Sequence, residues 1–308
     1  MGKLMRREFL TGLADLADRD PRVLLLTADL GFGAIEVFTD RHPTRFMNLG
    51  VAEQAMIGIA TGLAEGGFVP YCYSIGSFSV ARTFEFLRNG PIAHGLPVRL
   101  IGIGPGMDYS YDGFTHFALE DVGILLNQPN TRIVAPKDAR SAGTFGVQGS
   151  DHAGLVYYRL ARSGVPIDTG GPDQSFDADC LILSFGNSAD VALDVAEDIS
   201  LHGSWSVKCI ALQELDATSV DLLASKIAES PARVVVTTEN HYSRGGFGSA
   251  LSDALCSVRW RGDVVKWGVA QPPTTRLGSY QYMVEQYCPS ISDIRADVVR
   301  ALLVDVRQ

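Results

Sequence analysis

Short apolar runs alternate with longer amphipathic stretches along this chain. Val23-Leu24-Leu25-Leu26-Thr27 reads as a buried strand, and residues 98–103, 131–135 and 155–159 read the same way. Apolar positions at helical spacing predict helices over residues 7–19, 52–65, 79–92, 118–126 and 139–148. Strand and helix in repetition predict a mostly parallel sheet covered on both faces. Glycine, proline and aspartate then gather between Ser163 and Asp179, which reads as a linker. A second pattern follows. Cys180-Leu181-Ile182-Leu183-Ser184-Phe185-Gly186 is a strand entering a glycine turn, a helix runs to about Leu201, and strands are expected over 207–211 and 233–238. The expectation is α/β: two doubly wound, mostly parallel-sheet domains, residues 1–170 and 171–308.

Composition narrows the function classes. The 308 residues are 46% hydrophobic and 20% charged, enough apolar material for two domains. A net charge of −9 without a basic stripe argues against a nucleic-acid partner. No apolar stretch reaches the length of a membrane span, and the N-terminus lacks the apolar core of a signal peptide. Cys72, Cys180, Cys209, Cys256 and Cys288 are odd in number and never paired as CxxC, which points to a reducing cytoplasm rather than a disulfide framework. Gly102-Ile103-Gly104-Pro105-Gly106 has the wrong spacing for a dinucleotide loop, and Gly245-Gly246-Phe247-Gly248 lacks its third glycine and later acid. Both read as turns.

Two stretches carry chemistry. The first is Asn48-Leu49-Gly50-Val51-Ala52-Glu53-Gln54, where Glu53 is the only charge between Arg45 and Glu65. A carboxylate at the start of a small-residue helix can serve the helix dipole. Buried, it needs a protonatable partner. The second is Asp112-Gly113-Phe114-Thr115-His116, which fixes a carboxylate and an imidazole at one short spacing. A lone histidine can be purely structural, but together these stretches resemble the transketolase family of thiamine-diphosphate enzymes, and within it the pyrimidine-binding and C-terminal domains.

The resemblance implies roles. Glu53 matches the glutamate that hydrogen-bonds the pyrimidine ring of thiamine diphosphate, and Asp29 lies in an alanine-aspartate-leucine turn near the cofactor; its plain alternative is a strand-end turn. Phe78 is the candidate stacking ring, with Arg82 beside it; core packing alongside Phe84 is the other reading of Phe78. His116 would move protons on substrate hydroxyls, and Asp112 would bind one of them. Arg162 and Arg7 match positions of phosphate-contacting arginines. The family's phosphate-binding histidine is replaced by Gly104, so common pentulose and hexulose phosphates are expected to be poor substrates and Gly104→His to improve them.

The family's metal-diphosphate motif is absent. The resemblance therefore implies a separate N-terminal-half transketolase subunit that holds the diphosphate through Mg2+ or Ca2+, in an α2β2 heterotetramer. The implied activity is transfer of a two-carbon ketol unit from a ketose, a sugar or modified sugar, to an acceptor. The alternatives are the β-subunit of a 2-oxo acid dehydrogenase or acyl-carrier-directed thiamine enzyme, and a non-catalytic scaffold subunit.

Overall fold

The computed structural model describes residues 5–162 and 175–303. The expected domain boundary at residue 170 and most of the expected linker lie outside the described residues. In the first half the strands are β1 (Val23–Thr27), β2 (Phe46–Asn48), β3 (Val69–Ile75), β4 (Arg99–Ile103), β5 (Thr131–Val134) and β6 (Leu155–Leu160). The helices are α1 (Met5–Arg19), α2 (Glu36–Thr39), α3 (Glu53–Glu65), α4 (Gly76–Val80), α5 (Phe84–Leu87), α6 (Asp121–Leu126) and α7 (Ala139–Gln148). The second half adds β7 (Cys180–Phe185), β8 (Val207–Leu212), β9 (Glu214–Leu215), β10 (Val234–Tyr242) and β11 (Asp263–Val269). Its helices are α8 (Ala189–Leu201), α9 (Ala217–Ala228), α10 (Phe247–Ser257), α11 (Tyr280–Tyr287) and α12 (Ile291–Leu303).

Two sheets result. The first runs β2-β1-β3-β4-β6-β5-β9, and the second β11-β10-β7-β8. All pairings are parallel except β5 with β9. The unbroken apolar run of β1 is explained by burial on both faces. Leu24 and Leu26 enter one core, and Val23 and Leu25 enter the other. On the second of these faces α1 and α7 meet backbone to backbone. A Cβ on Gly12 would lie 2.5 Å from the Gly143 carbonyl, so only glycine allows that approach. Among the described residues no helix is long and apolar enough to cross a membrane.

Two expected helices differ. Residues 79–92 do not form one helix; α4 and α5 are separate, and Gly90 leaves helical geometry at φ −95°, ψ −105°. Pro91 causes the departure at Gly90, since proline disfavours helical backbone in the residue before it. The helix expected from residue 118 begins at Asp121, because Ala118 is held extended by a bridge to Gly106.

The halves are joined by more than the linker. Strand β9, from the second half, lies on the edge of the first sheet, pairing Ile133 with Leu215. Arg159 on β6 is buried and its Nε lies 2.8 Å from Asp121 Oδ2. The same guanidinium donates to the Ala118 carbonyl and to Asn240 on β10. Each charge thus has the surrounding hydrogen bonds that a buried ion pair requires.

Candidate active site

The candidate residues gather where the strands of the first sheet end. After β1 the chain turns at Asp29, whose φ of +55° is unusual for a side-chain-bearing residue. Asn48, at the end of β2, holds that turn. Its Oδ1 accepts from the Asp29 N–H at 3.1 Å, and its Nδ2 donates to Asp29 Oδ1 at 2.9 Å. Nothing in the local pattern marks Asn48 except its place two residues before Gly50, whose N–H donates to the same Oδ1 at 3.0 Å. At φ +69°, Gly50 then lets the chain swing into α3.

Glu53 is the first residue of α3 and is only 2% exposed. Its Oε2 accepts from Arg82 Nη1 at 2.7 Å. Its Oε1 accepts no hydrogen bond among the described residues. The arginine side chain is 42% exposed, and its Cζ sits 4.1 Å from the centre of the Phe78 ring. Phe78 in turn meets His116 edge-on, with ring centres 5.1 Å apart. Glu53, Arg82, Phe78 and His116 therefore form one chain of contacts built from α3, α4 and the loop before α6. Phe78 is half-buried, with a site partner on each side, so it is not a plain core aromatic.

His116 takes its orientation locally, with Nδ1 2.9 Å from Thr115 Oγ1. Asp112 is exposed on the same loop. Between them Gly113 has φ +83°, and Leu277 of the second half packs where its side chain would be. The Gly278 N–H also donates to the Ser110 carbonyl at 3.3 Å. The second half thus braces the loop that carries Asp112 and His116. Asp29 is tied to Asn48 and stands apart from the Glu53–His116 chain.

At the substrate end the structure bears on Arg7 and on Gly104. Arg7 is exposed on α1, whereas the neighbouring Arg6 acts electrostatically on Tyr73 and Tyr109. One step along a helix turns a side chain by about 100°, so Arg6 and Arg7 point in different directions from α1. Gly104, in turn, does not leave an open place for histidine. Its φ is +70°, and a Cβ there would run into the Tyr109 ring. A histidine at 104 would collide with a residue already seated. Arg162 is exposed, and its backbone N–H donates to Asp108 Oδ2 at 2.8 Å. Burial pushes the Asp108 carboxyl up to about 6.

Comparison with known proteins agrees with this geometry. Residues 3–157 match the transketolase pyrimidine-binding domain, and residues 172–294 match the transketolase C-terminal domain. The chain belongs to the transketolase family. It is 30% identical to the 6-deoxy-6-sulfo-D-fructose transketolase subunit of a Clostridium species, over 82% of this chain and 80% of that one. It is 28% identical to one subunit of the apulose-4-phosphate transketolase of Phocaeicola vulgatus, over 81% and 83%. A solved split-gene transketolase, described as an inactive β4 tetramer, superposes with a TM-score of 0.80 at 28% identity, covering 98% of this chain and 99% of that one. This transketolase chain is thus of the split, β-subunit type, a thiamine-diphosphate-dependent transferase of two-carbon ketol units.

Proposed function

We propose that this chain supplies the pyrimidine-binding half of a two-chain transketolase, with Glu53 as its activating carboxylate. The observation that carries this reading is the state of Glu53: buried, with one oxygen held by Arg82 and the other open. That donor set fits the pyrimidine of thiamine diphosphate, which offers a ring nitrogen to a carboxylate and a flat face to an aromatic ring. Glu53 would share a proton with that nitrogen, while Phe78 and Arg82 would line the ring's seat. Asp29 closes the neighbouring turn. When bound, the cofactor supplies the nucleophilic carbon and the electron sink for the two-carbon unit.

The rest of the work falls to this chain's own side chains. His116, half-buried beside Phe78, passes protons to and from substrate hydroxyls. Asp112 on the same loop accepts a substrate hydroxyl and orients it. Arg162 and Arg6, rather than Arg7, serve the far end of the substrate. The named activities of the two relatives support an anionic, uncommon ketose as donor. A cytoplasmic N-terminal-half chain would hold the diphosphate through Mg2+ or Ca2+ and complete an α2β2 enzyme. The inactive β4 tetramer of the split-gene homologue is in keeping with that need.

The test is ketol transfer by the full chain, alone and mixed with a metal-diphosphate chain. Alone it is expected to be silent; assembled it turns over. Glu53→Gln in the assembled enzyme should cut kcat by about a hundredfold or more, the scale of a lost proton-transfer group. Activity within a few-fold of wild type would remove Glu53 from the mechanism.

A further inference from the structure

We propose that Tyr109 is a specificity-determining residue whose phenol, together with Arg6, holds the oxyanion tail of the substrate. The proposal rests on the ketol-transfer reading of the site and names a recognition element that this reading leaves open.

Several observations converge on Tyr109 and its neighbour Arg6. Its ring occupies the space beside Gly104, which has no side chain of its own. The ring centre lies 6.1 Å from that of His116, so a substrate chain lying over the histidine runs against it. The charge of Arg6 bears on the Tyr109 hydroxyl, as do those of Asp108, Asp112 and Arg162. Finally, the buried Tyr73 hydroxyl lies beside the same Arg6, which places that guanidinium on the Tyr109 side of β3.

Tyr109 is also fixed in place. Its carbonyl accepts from the Asp112 and Gly113 N–H groups at 2.9 and 3.1 Å, so the turn that presents Asp112 anchors the tyrosine as well. Burial raises the phenol, which keeps it protonated and able to donate at neutral pH. A tyrosine reaching over a glycine thus puts a hydroxyl donor next to an arginine and leaves the loop backbone in its left-handed turn.

The experiment compares kcat/KM for glyceraldehyde 3-phosphate and for unphosphorylated glyceraldehyde as acceptors of the assembled enzyme. Tyr109→Phe should lower the phosphorylated-to-unphosphorylated ratio about ten- to a hundredfold, the value of one hydrogen bond to a charged group. Gly104→Ala, which displaces the ring and keeps the hydroxyl, should lower the same ratio. A ratio within twofold of wild type in Tyr109→Phe overturns the proposal. Calorimetric titration of the full chain with inorganic phosphate, and separately with methanesulfonate, provides a readout that does not depend on turnover. Tyr109→Phe should weaken binding at least tenfold for the tail type the site takes, and unchanged binding of both anions overturns the proposal. An assembled wild type without ketol transfer would instead refute the reading of the reaction and leave the anion titration to judge Tyr109.

Discussion

Glu53 in the first half and Glu239 in the second are both buried carboxylates set against the start of a helix, yet their surroundings are opposite. Glu239 lies within the buried part of β10 at 0% exposure. Its Oε1 accepts from Thr237 Oγ1 at 3.0 Å, and both of its oxygens take the Gly248 N–H at the start of α10, at 3.2 and 3.1 Å. His241 Nε2 lies 3.2 Å away. Among the described residues Glu53 has one side-chain partner, and that partner is nearly half exposed. A buried carboxylate whose acceptors are all met is part of the framework. One with an open oxygen and a solvent-reaching partner is free for chemistry. The two halves share a parallel α/β plan, but among the described residues Glu53 keeps an acceptor oxygen free where Glu239 does not.

This contrast can be broken most sharply at Glu239. Glu239→Ala should cost about 3 kcal/mol of stability, because it leaves the Thr237 hydroxyl and the Gly248 N–H unmet and opens a cavity. Denaturant unfolding measures it; a loss under about 1 kcal/mol would erase the distinction between the two sites.

Asp108 is the intermediate case. Its acid form is favoured in the fold, so ionisation costs stability as pH rises from about 4 through about 6. Asp108→Asn should therefore be more stable than wild type at pH 7.5, by about 1–2 kcal/mol, since solvent contact reduces the full effect of the shift. The advantage should shrink as pH falls below 6. Thermal melts at pH 5 and 7.5 check it, and a constant difference would show that Asp108 ionises without cost.

The smallest effect is expected at Glu53. Glu53→Gln keeps the side-chain shape and loses one ion pair with a partly exposed partner, worth about 1 kcal/mol or less. Large destabilisation in the same melt would place Glu53 with Glu239 as framework and undercut its proposed role.

Much of this was legible beforehand, and the reasons differ by region. The strands of both sheets could be read because they are apolar on both faces, as Val23 to Thr27 are. The segment over residues 79–92 could not, because periodicity continues through Gly90 while Pro91 breaks the backbone. Glu53 and the Asp112–His116 loop stood out as charges in unusual company. What stayed hidden was tertiary. Asn48 holding Asp29, Leu277 seated on Gly113 and Tyr109 covering Gly104 join residues by contacts that no local pattern encodes.

The strand β9 bears on how this chain can be handled. Two residues of the second half, Glu214 and Leu215, close the outer edge of β5. Without them, β5 would offer a row of open backbone donors and acceptors, an invitation to pair with any passing chain. A fragment cut after β6 would keep every candidate catalytic residue and still carry an unguarded edge. The pyrimidine-binding half is therefore expected to clump when expressed by itself.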